Sequence, residues 1–254
     1  GEDLDLRHGL RTLVETLLSE TSIPWIRFLY AYPATLDHGL FDLMASNPRF
    51  LPYLDIPLQH ASRKVLKAMK RGGDARSYLR MIEKARGTVP DLVLRTTFIV
   101  GFPHEEEAEF GELLDFVEQV EFDHLGVFTY SWQEENPGSA LGDPVSEEEK
   151  TARRDAVLAM QQGIALKRNA ALVGKRLPAI VSGRLAEMDL LLEGRLQRQA
   201  PEIDGRLLIN DGSAAAGSLV EVEVTEAHPY DVVGRIVRVV REGRATAPLL
   251  PVVG

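Results

Sequence analysis

Gln59 and His60 close a short apolar run, Tyr53-Leu54-Asp55-Ile56-Pro57-Leu58, and helix-like sequence from Ala61 to Arg71 follows at once. A buried run of about six residues with a helix directly after it reads as a strand of a parallel β/α unit. Such units collect their chemistry at the carboxyl ends of the strands. Three other segments close in a similar way: Trp25 to Pro33 in Ala31-Tyr32-Pro33, Leu94 to Pro103 in Gly101-Phe102-Pro103, and Leu125 to Ser131 in Tyr130-Ser131. One face would then carry an amide, an imidazole, aromatic rings and a bare glycine backbone. Arg71, at the C-terminal end of the helix that follows His60, adds a guanidinium suited to a carboxylate. The paired carboxylates or His-rich set of a barrel hydrolase are not evident at these strand ends, and His8, His38, His124 and His228 lack the spacing of metal ligands.

Each feature also has a plain structural explanation. His60 could be a polar loop start satisfied by backbone, Gly101-Phe102-Pro103 a simple turn, and Lys70-Arg71 favourable charge at a helix end. Asp55 lies within its strand and by alternation faces either the barrel interior or the helices. Arg95 lies in another strand and calls for a buried partner.

Length and composition bound the class. The chain has 254 residues, 44% hydrophobic and 26% charged, as in a soluble globular protein with a sizeable core. Nothing approaches the roughly 18 to 20 uninterrupted apolar residues of a membrane helix. The start, Gly1-Glu2-Asp3-Leu4-Asp5, has no basic signal-peptide region, so a cytoplasmic location and no membrane partner are expected. Cysteine is absent, which removes disulfides, thiolate metal sites and iron–sulfur ligation from within the chain. A net charge of -9 argues against nucleic acid as the primary partner.

The elements that must position these residues follow in order. Leu6, Leu10, Leu13, Val14, Leu17 and Leu18 form the stripe of an amphipathic helix. The run from Pro24 is a first strand, and Leu36 to Met44 a helix stopped before Asn47-Pro48. Ser62 to Arg71 is a helix closed by Gly72-Gly73, Asp74 caps the next, and a strand spans about Leu92 to Val100. Glu105-Glu106-Glu107 opens a helix with Phe110, Leu113, Leu114 and Val117 inward. Ser146 and Glu149 form a capping box for a long connector helix, in which Glu147-Glu148-Glu149 is a solvated first turn. After Val173-Gly174 the pattern becomes five short strands, near 177–181, 190–196, 207–209, 219–224 and 232–240, as in a small barrel of the oligonucleotide-binding type. The expected division is 1–172, 173–241 and a loose tail at 242–254.

Tyr53 to His60 with Ser62, Met69-Lys70-Arg71-Gly72, Arg95 to Pro103, Gly126 to Ser131, Gly142-Asp143-Pro144-Val145 and Leu158 to Ala165 together resemble the radical S-adenosylmethionine methylthiotransferases. The C-terminal module resembles a TRAM domain. Ala31-Tyr32-Pro33, Asp55 to His60 and Ala200-Pro201-Glu202-Ile203-Asp204-Gly205 are most similar to the branch that methylthiolates an aspartate β-carbon of small-subunit ribosomal protein twelve. The sister branch modifies a transfer-RNA adenosine, and a non-catalytic protein- or RNA-binding fragment is a further alternative.

The resemblance implies an incomplete radical SAM core, a partial TIM-like α/β barrel, followed by a five-stranded antiparallel TRAM barrel of OB-like type. It implies S-adenosyl-L-methionine as cofactor, with Gln59, His60, Arg71, Gly101, Pro103 and Tyr130 as its contacts. Glu202, Asp204, Tyr230 and Asp231 become the substrate contacts, and small-subunit ribosomal protein twelve, free or on the ribosome, the partner. The family's full chain also carries two 4Fe-4S clusters and a Cys-x-x-x-Cys-x-x-Cys loop that this sequence lacks. The chain is therefore expected to be a fragment, inactive alone. It departs from the family at His104-Glu105-Glu106, where Gly-Glu-Thr is usual, which bears on any backbone approach that needs the glycine.

Overall fold

The computed structural model of the chain describes residues 8–134, 141–185 and 188–243. The chain divides into two compact units, Gly1–Ile164 and Ala165–Gly254. Leu6 of the first stripe and most of the expected tail lie outside the described residues.

The first unit is built on a parallel sheet of β1 (Tyr53–Asp55), β2 (Val93–Val100) and β3 (His124–Thr129), with β2 central. Its helices are α1 (Gly9–Glu20), α2 (Gly39–Ser46), α3 (Arg63–Ala68), α4 (Ala75–Thr88), α5 (Glu107–Val120) and the first turns of α6 (Glu147–Ala170). Leu54, Leu94, Phe98 and Val100 of the strands share a core with Tyr78, Ile82, Leu113, Phe116 and Val117 of the helices. Burial at about 25 cal/mol per Å² of apolar surface favours this layer arrangement.

The segment 25–33 corrects the expected first strand. It makes one parallel bridge, Ile26 to Phe50, and then leaves strand geometry: Tyr30 takes a left-handed φ of 62° and Pro33–Thr35 form a 3₁₀ turn. Asp55 takes over its backbone donors, since Tyr30 N–H reaches Asp55 Oδ2 at 3.1 Å and Ala31 N–H the Asp55 carbonyl at 2.9 Å. A side-chain acceptor thus replaces a ladder. The α1 stripe is also narrower than expected, for Leu10 and Leu13 are exposed and only Val14 is buried.

Local rules hold elsewhere. Asp74 accepts from Ser77 N–H at 2.7 Å and Ser77 Oγ accepts from Asp74 N–H at 2.9 Å, a reciprocal capping box that lowers the Asp74 pKa through the Ser77 backbone bond first. The helix after His60 ends earlier than expected, at Ala68. Its left-handed stop falls on Lys70, φ 56°, and Arg71 N–H bonds the Leu66 carbonyl at 2.8 Å, so Gly72 does not serve as the cap.

The second unit is a closed barrel of β4 (Arg176–Leu185), β5 (Met188–Leu196), β6 (Leu207–Asp211), β7 (Leu219–Ala227) and β8 (Val232–Arg241), in the order β4-β5-β6-β8-β7. Four pairings are antiparallel and β6 with β8 is parallel. Val220, Val222 and Val224 point inward with Ala179, Val181, Leu207 and Ile209, as the alternation requires. Glu221 and Glu223 point outward and pair with Arg238 and Arg235 at 3.1 and 3.0 Å. At one turn a Cβ on Gly205 would overlap the Tyr230 carbonyl oxygen, so only glycine permits that approach.

Candidate functional site

The β2 ladder gathers four of the sequence-predicted residues. Gln59 continues β1 beyond Pro57 and bridges Phe98, its N–H bonding the Thr97 carbonyl and its carbonyl accepting from Ile99 N–H, at 2.9 and 2.8 Å. It holds φ at 71°, a left-handed value that for a non-glycine residue costs on the order of 1–3 kcal/mol. On the other side Tyr130 N–H bonds the Val100 carbonyl at 2.8 Å, and its ring meets Phe102 edge-on at 4.8 Å. His60 and Gly101 are thereby brought to one strand-end region with Gln59 and Tyr130, and Pro103 lies buried in the turn that Gly101 begins.

His60 is fully buried. Its Nδ1 accepts from Ser62 N–H at 2.9 Å, which places the neutral ring's proton on Nε2. That nitrogen has no hydrogen-bond partner and stands 3.8 Å from Glu105 Oε1, which has none either. Glu105 Oε2 accepts from the backbone N–H groups of both Gly101 and Phe102, the second at 3.1 Å. Glu105 therefore closes the turn Gly101–Glu105 on itself. His104, standing where the resembled family has glycine, holds φ at 75°, so the turn keeps the left-handed conformation there without the glycine.

Two cations from α6 complete this arrangement. Arg153 Nη1 donates to the Glu105 carbonyl at 2.8 Å and lies 3.5 Å from Glu105 Oε1, and its other branch bonds Glu149. Lys150 is 0% exposed and places Nζ 2.6 Å from both Asp143 Oδ2 and Glu147 Oε1. Burial pulls its pKa down, but the hydrogen bonds it donates to the two carboxylates outweigh that and leave it raised. The sequence marks Glu105 only as a helix-opening acid within the departure at His104-Glu105-Glu106, and it marks Lys150 and Arg153 as no part of the site. The signal was the stripe Lys150, Arg153, Val157, Gln161, Ile164, whose three- and four-residue spacing marks a buried face that happens to start with cations.

Arg71 has a different neighbourhood. Its guanidinium lies 5.5 Å from the centre of the Tyr32 ring, and it opposes the effect of burial that pushes Tyr78 up to about 12. Asp55 and Arg95 answer one another: they are register partners on β1 and β2 with Oδ1 and Nη1 3.2 Å apart.

In the barrel, the turns of the expected substrate residues adjoin, since Asp231 Oδ1 accepts from Arg206 N–H at 2.7 Å. Asp204 Oδ2 accepts from Ala200 N–H at 2.7 Å. Both aspartates thus carry structural bonds, whereas Glu202 and Tyr230 are exposed.

Comparison with known proteins follows the same division. Residues 1–117 match the Radical SAM superfamily and residues 173–237 the TRAM domain. Coproporphyrinogen III oxidase (HemN) from Escherichia coli, a radical SAM enzyme, has a similar fold at a TM-score of 0.52 and 17% identity, covering 63% of this chain and 38% of that one. The class is therefore a radical SAM α/β core with a TRAM barrel.

Proteins named ribosomal protein uS12 methylthiotransferase RimO are similar along almost the whole chain. That of Solibacter usitatus is 46% identical over 99% of this chain and 54% of its own length, and that of Koribacter versatilis 44% identical over 93% and 48%. The RimO of an Anaeromyxobacter species (strain K) is 45% identical over 93% and 50%. This chain is similar to these methylthiotransferases along 93–99% of its residues, and it spans about half the length of the curated relatives it matches.

The family implies S-adenosyl-L-methionine and iron–sulfur clusters. Toward the cofactor the residues present offer the aromatic ring of Tyr130 and two buried polar atoms without hydrogen bonds, His60 Nε2 and Glu105 Oε1, while Gly101 is covered by the Lys150 stem. A cluster does not fit, because these 254 residues include no cysteine and such clusters are held by thiolates. Among the described residues no group of His, Asp and Glu could hold a metal ion, and no helix is long and apolar enough to cross a membrane.

Proposed function

We propose that this chain supplies one flank of the cofactor cavity and the substrate-recognition barrel of a radical SAM ribosomal protein methylthiotransferase. The similarity to the RimO proteins over 93–99% of the chain carries the reading. Gln59, His60, Gly101, Pro103 and Tyr130 would line the strand-end side of the S-adenosyl-L-methionine site, with Arg71 answering its carboxylate. When bound, and given an electron from a cluster, that cofactor would supply hydrogen abstraction at an aspartate β-carbon and the methyl group for the sulfur inserted there. The chain's residues orient the cofactor and keep water away. The reading includes two 4Fe-4S clusters, whose ligands are not among these residues.

In an enzyme of the relatives' full length, alanine at Gln59, His60 or Arg71 is expected to lower turnover or cofactor binding about tenfold or more, with a smaller effect on stability. Steady-state kinetics paired with thermal melts reads both. Unchanged turnover in all three variants would move the site elsewhere.

The barrel's partner is uS12 in this reading. Between 173 and 240 the sequence has eight Lys and Arg against ten Asp and Glu, a net charge of about -2, where transfer-RNA binding calls for a clustered positive surface. Arg235 and Arg238 are further engaged by Glu223 and Glu221. Glu202 and Tyr230 are the exposed members of the expected contact set, and Asp204 and Asp231 shape their turns. Binding of the chain to uS12 should exceed binding to bulk transfer RNA at physiological salt and weaken as salt is raised. Tighter binding to transfer RNA would return the adenosine-modifying branch to first place.

A further inference from the structure

We propose that Lys150 and Arg153 of α6 are positioning residues that set ligand affinity at the strand ends by acting through the Gly101–Glu105 turn. The inference rests on the cofactor reading above and deepens it. Neither residue needs to touch the ligand.

The argument starts from what a buried helix stripe should contain. Val157 and Ile164 pack into the core as expected, but the two positions facing the turn, Lys150 and Arg153, are buried cations. Removing a charge from water is unfavourable until its partners offset it. Leucine or methionine would fill the same space without that cost, so packing alone does not account for cations here.

What they do at the turn is specific. Arg153 holds Glu105 by both its carbonyl and its carboxylate, and the carboxylate in turn holds the Gly101 and Phe102 N–H groups. Lys150 lays its stem where a Cβ on Gly101 would stand, with Cβ and Cδ both 3.2 Å from that point. Its head is fixed by Asp143 and Glu147 and lies 5.7 Å from the centre of the Tyr130 ring. Gly101 holds φ at 73° and directly follows Val100, whose carbonyl receives Tyr130 N–H. Turning the Glu105 carboxylate away would release two buried amides and remove the neighbour of His60 Nε2. The shape of the strand-end surface therefore depends on α6, an element that contributes none of the sequence-predicted contacts.

The test uses an enzyme of the relatives' full length that contains these 254 residues, with S-adenosylhomocysteine as probe in isothermal titration and amide hydrogen exchange resolved at Gly101 and Phe102. R153M is expected to weaken binding about tenfold and to speed exchange at these two amides by a similar factor, since the guanidinium fork has no apolar substitute. Exchange at Leu113 and Val117 in α5 should stay as in the wild type, which a general loss of structure would not allow. K150M should act in the same direction, and R153K, which keeps charge but loses the fork, should lose about threefold. If R153M fails to fold, R153K carries the same comparison. Wild-type affinity and exchange in the folded Arg153 variants would overturn the inference alone, whereas absence of binding by the wild-type full-length enzyme would overturn the cofactor reading and the inference with it.

Discussion

Glu105→Ala is expected to destabilise the first unit by about 3 kcal/mol, near the lower end of what breaking a buried ion pair costs. Three groups lose a partner together. The Gly101 and Phe102 amides are left buried without an acceptor, at about 1–3 kcal/mol for each unsatisfied group, and Arg153 loses one of its carboxylates. Arg153 keeps Glu149 and the residue-105 carbonyl, which is why the loss stays below the upper range. Urea unfolding followed by a probe in the first unit reads the effect. Glu105→Gln should cost less, because its amide oxygen can stand in for Oε2, which accepts from both backbone N–H groups. A loss under about 1 kcal/mol for the alanine variant would mean that water satisfies these groups and that the turn is not held from beneath.

Gly101→Ala is expected to cost a further few kcal/mol, about 2–4, for two separable reasons. The left-handed φ of 73° strains any residue with a Cβ, and the added carbon lands on the Lys150 stem close to its backbone, where a buried side chain cannot move aside cheaply. The pair of variants Gly101→Ala and Gly101→Ala with Lys150→Ala separates them. Truncating Lys150 removes the overlap and leaves the strain, so the double variant should be less destabilised than the sum of the two single changes, as neighbours that couple require. Strict additivity in the double-mutant cycle would show that the close approach between Gly101 and Lys150 is not the cause.

Both predictions concern residues on either side of what could be read from the chain. Gly101 was legible because a Gly-x-Pro turn after an apolar run is a local signal. Glu105 was legible only as an acid at a helix start. Its burial, and its reach back to two amides, depend on Arg153, which lies 48 residues further along the chain. Sequence spacing holds no information about such a contact.

The sequence by itself determined those features whose cause lies within a turn or two. The Asp74 and Ser77 capping box, the alternation of Val220, Val222 and Val224 with acids, and the eight-residue strand Val93–Val100 each follow from rotamer, period and hydrogen-bond rules acting on neighbours. Only the tertiary structure decided the rest. Whether 25–33 became a strand turned on Asp55, whose carboxylate and carbonyl capture Tyr30 and Ala31. Whether Lys150 and Arg153 faced solvent or core turned on acids at 105, 143, 147 and 149 being placed to receive them. A charged side chain reads as surface in any local window, because leaving water is costly until partners from other elements are in place, and those partners exist only once the chain has folded.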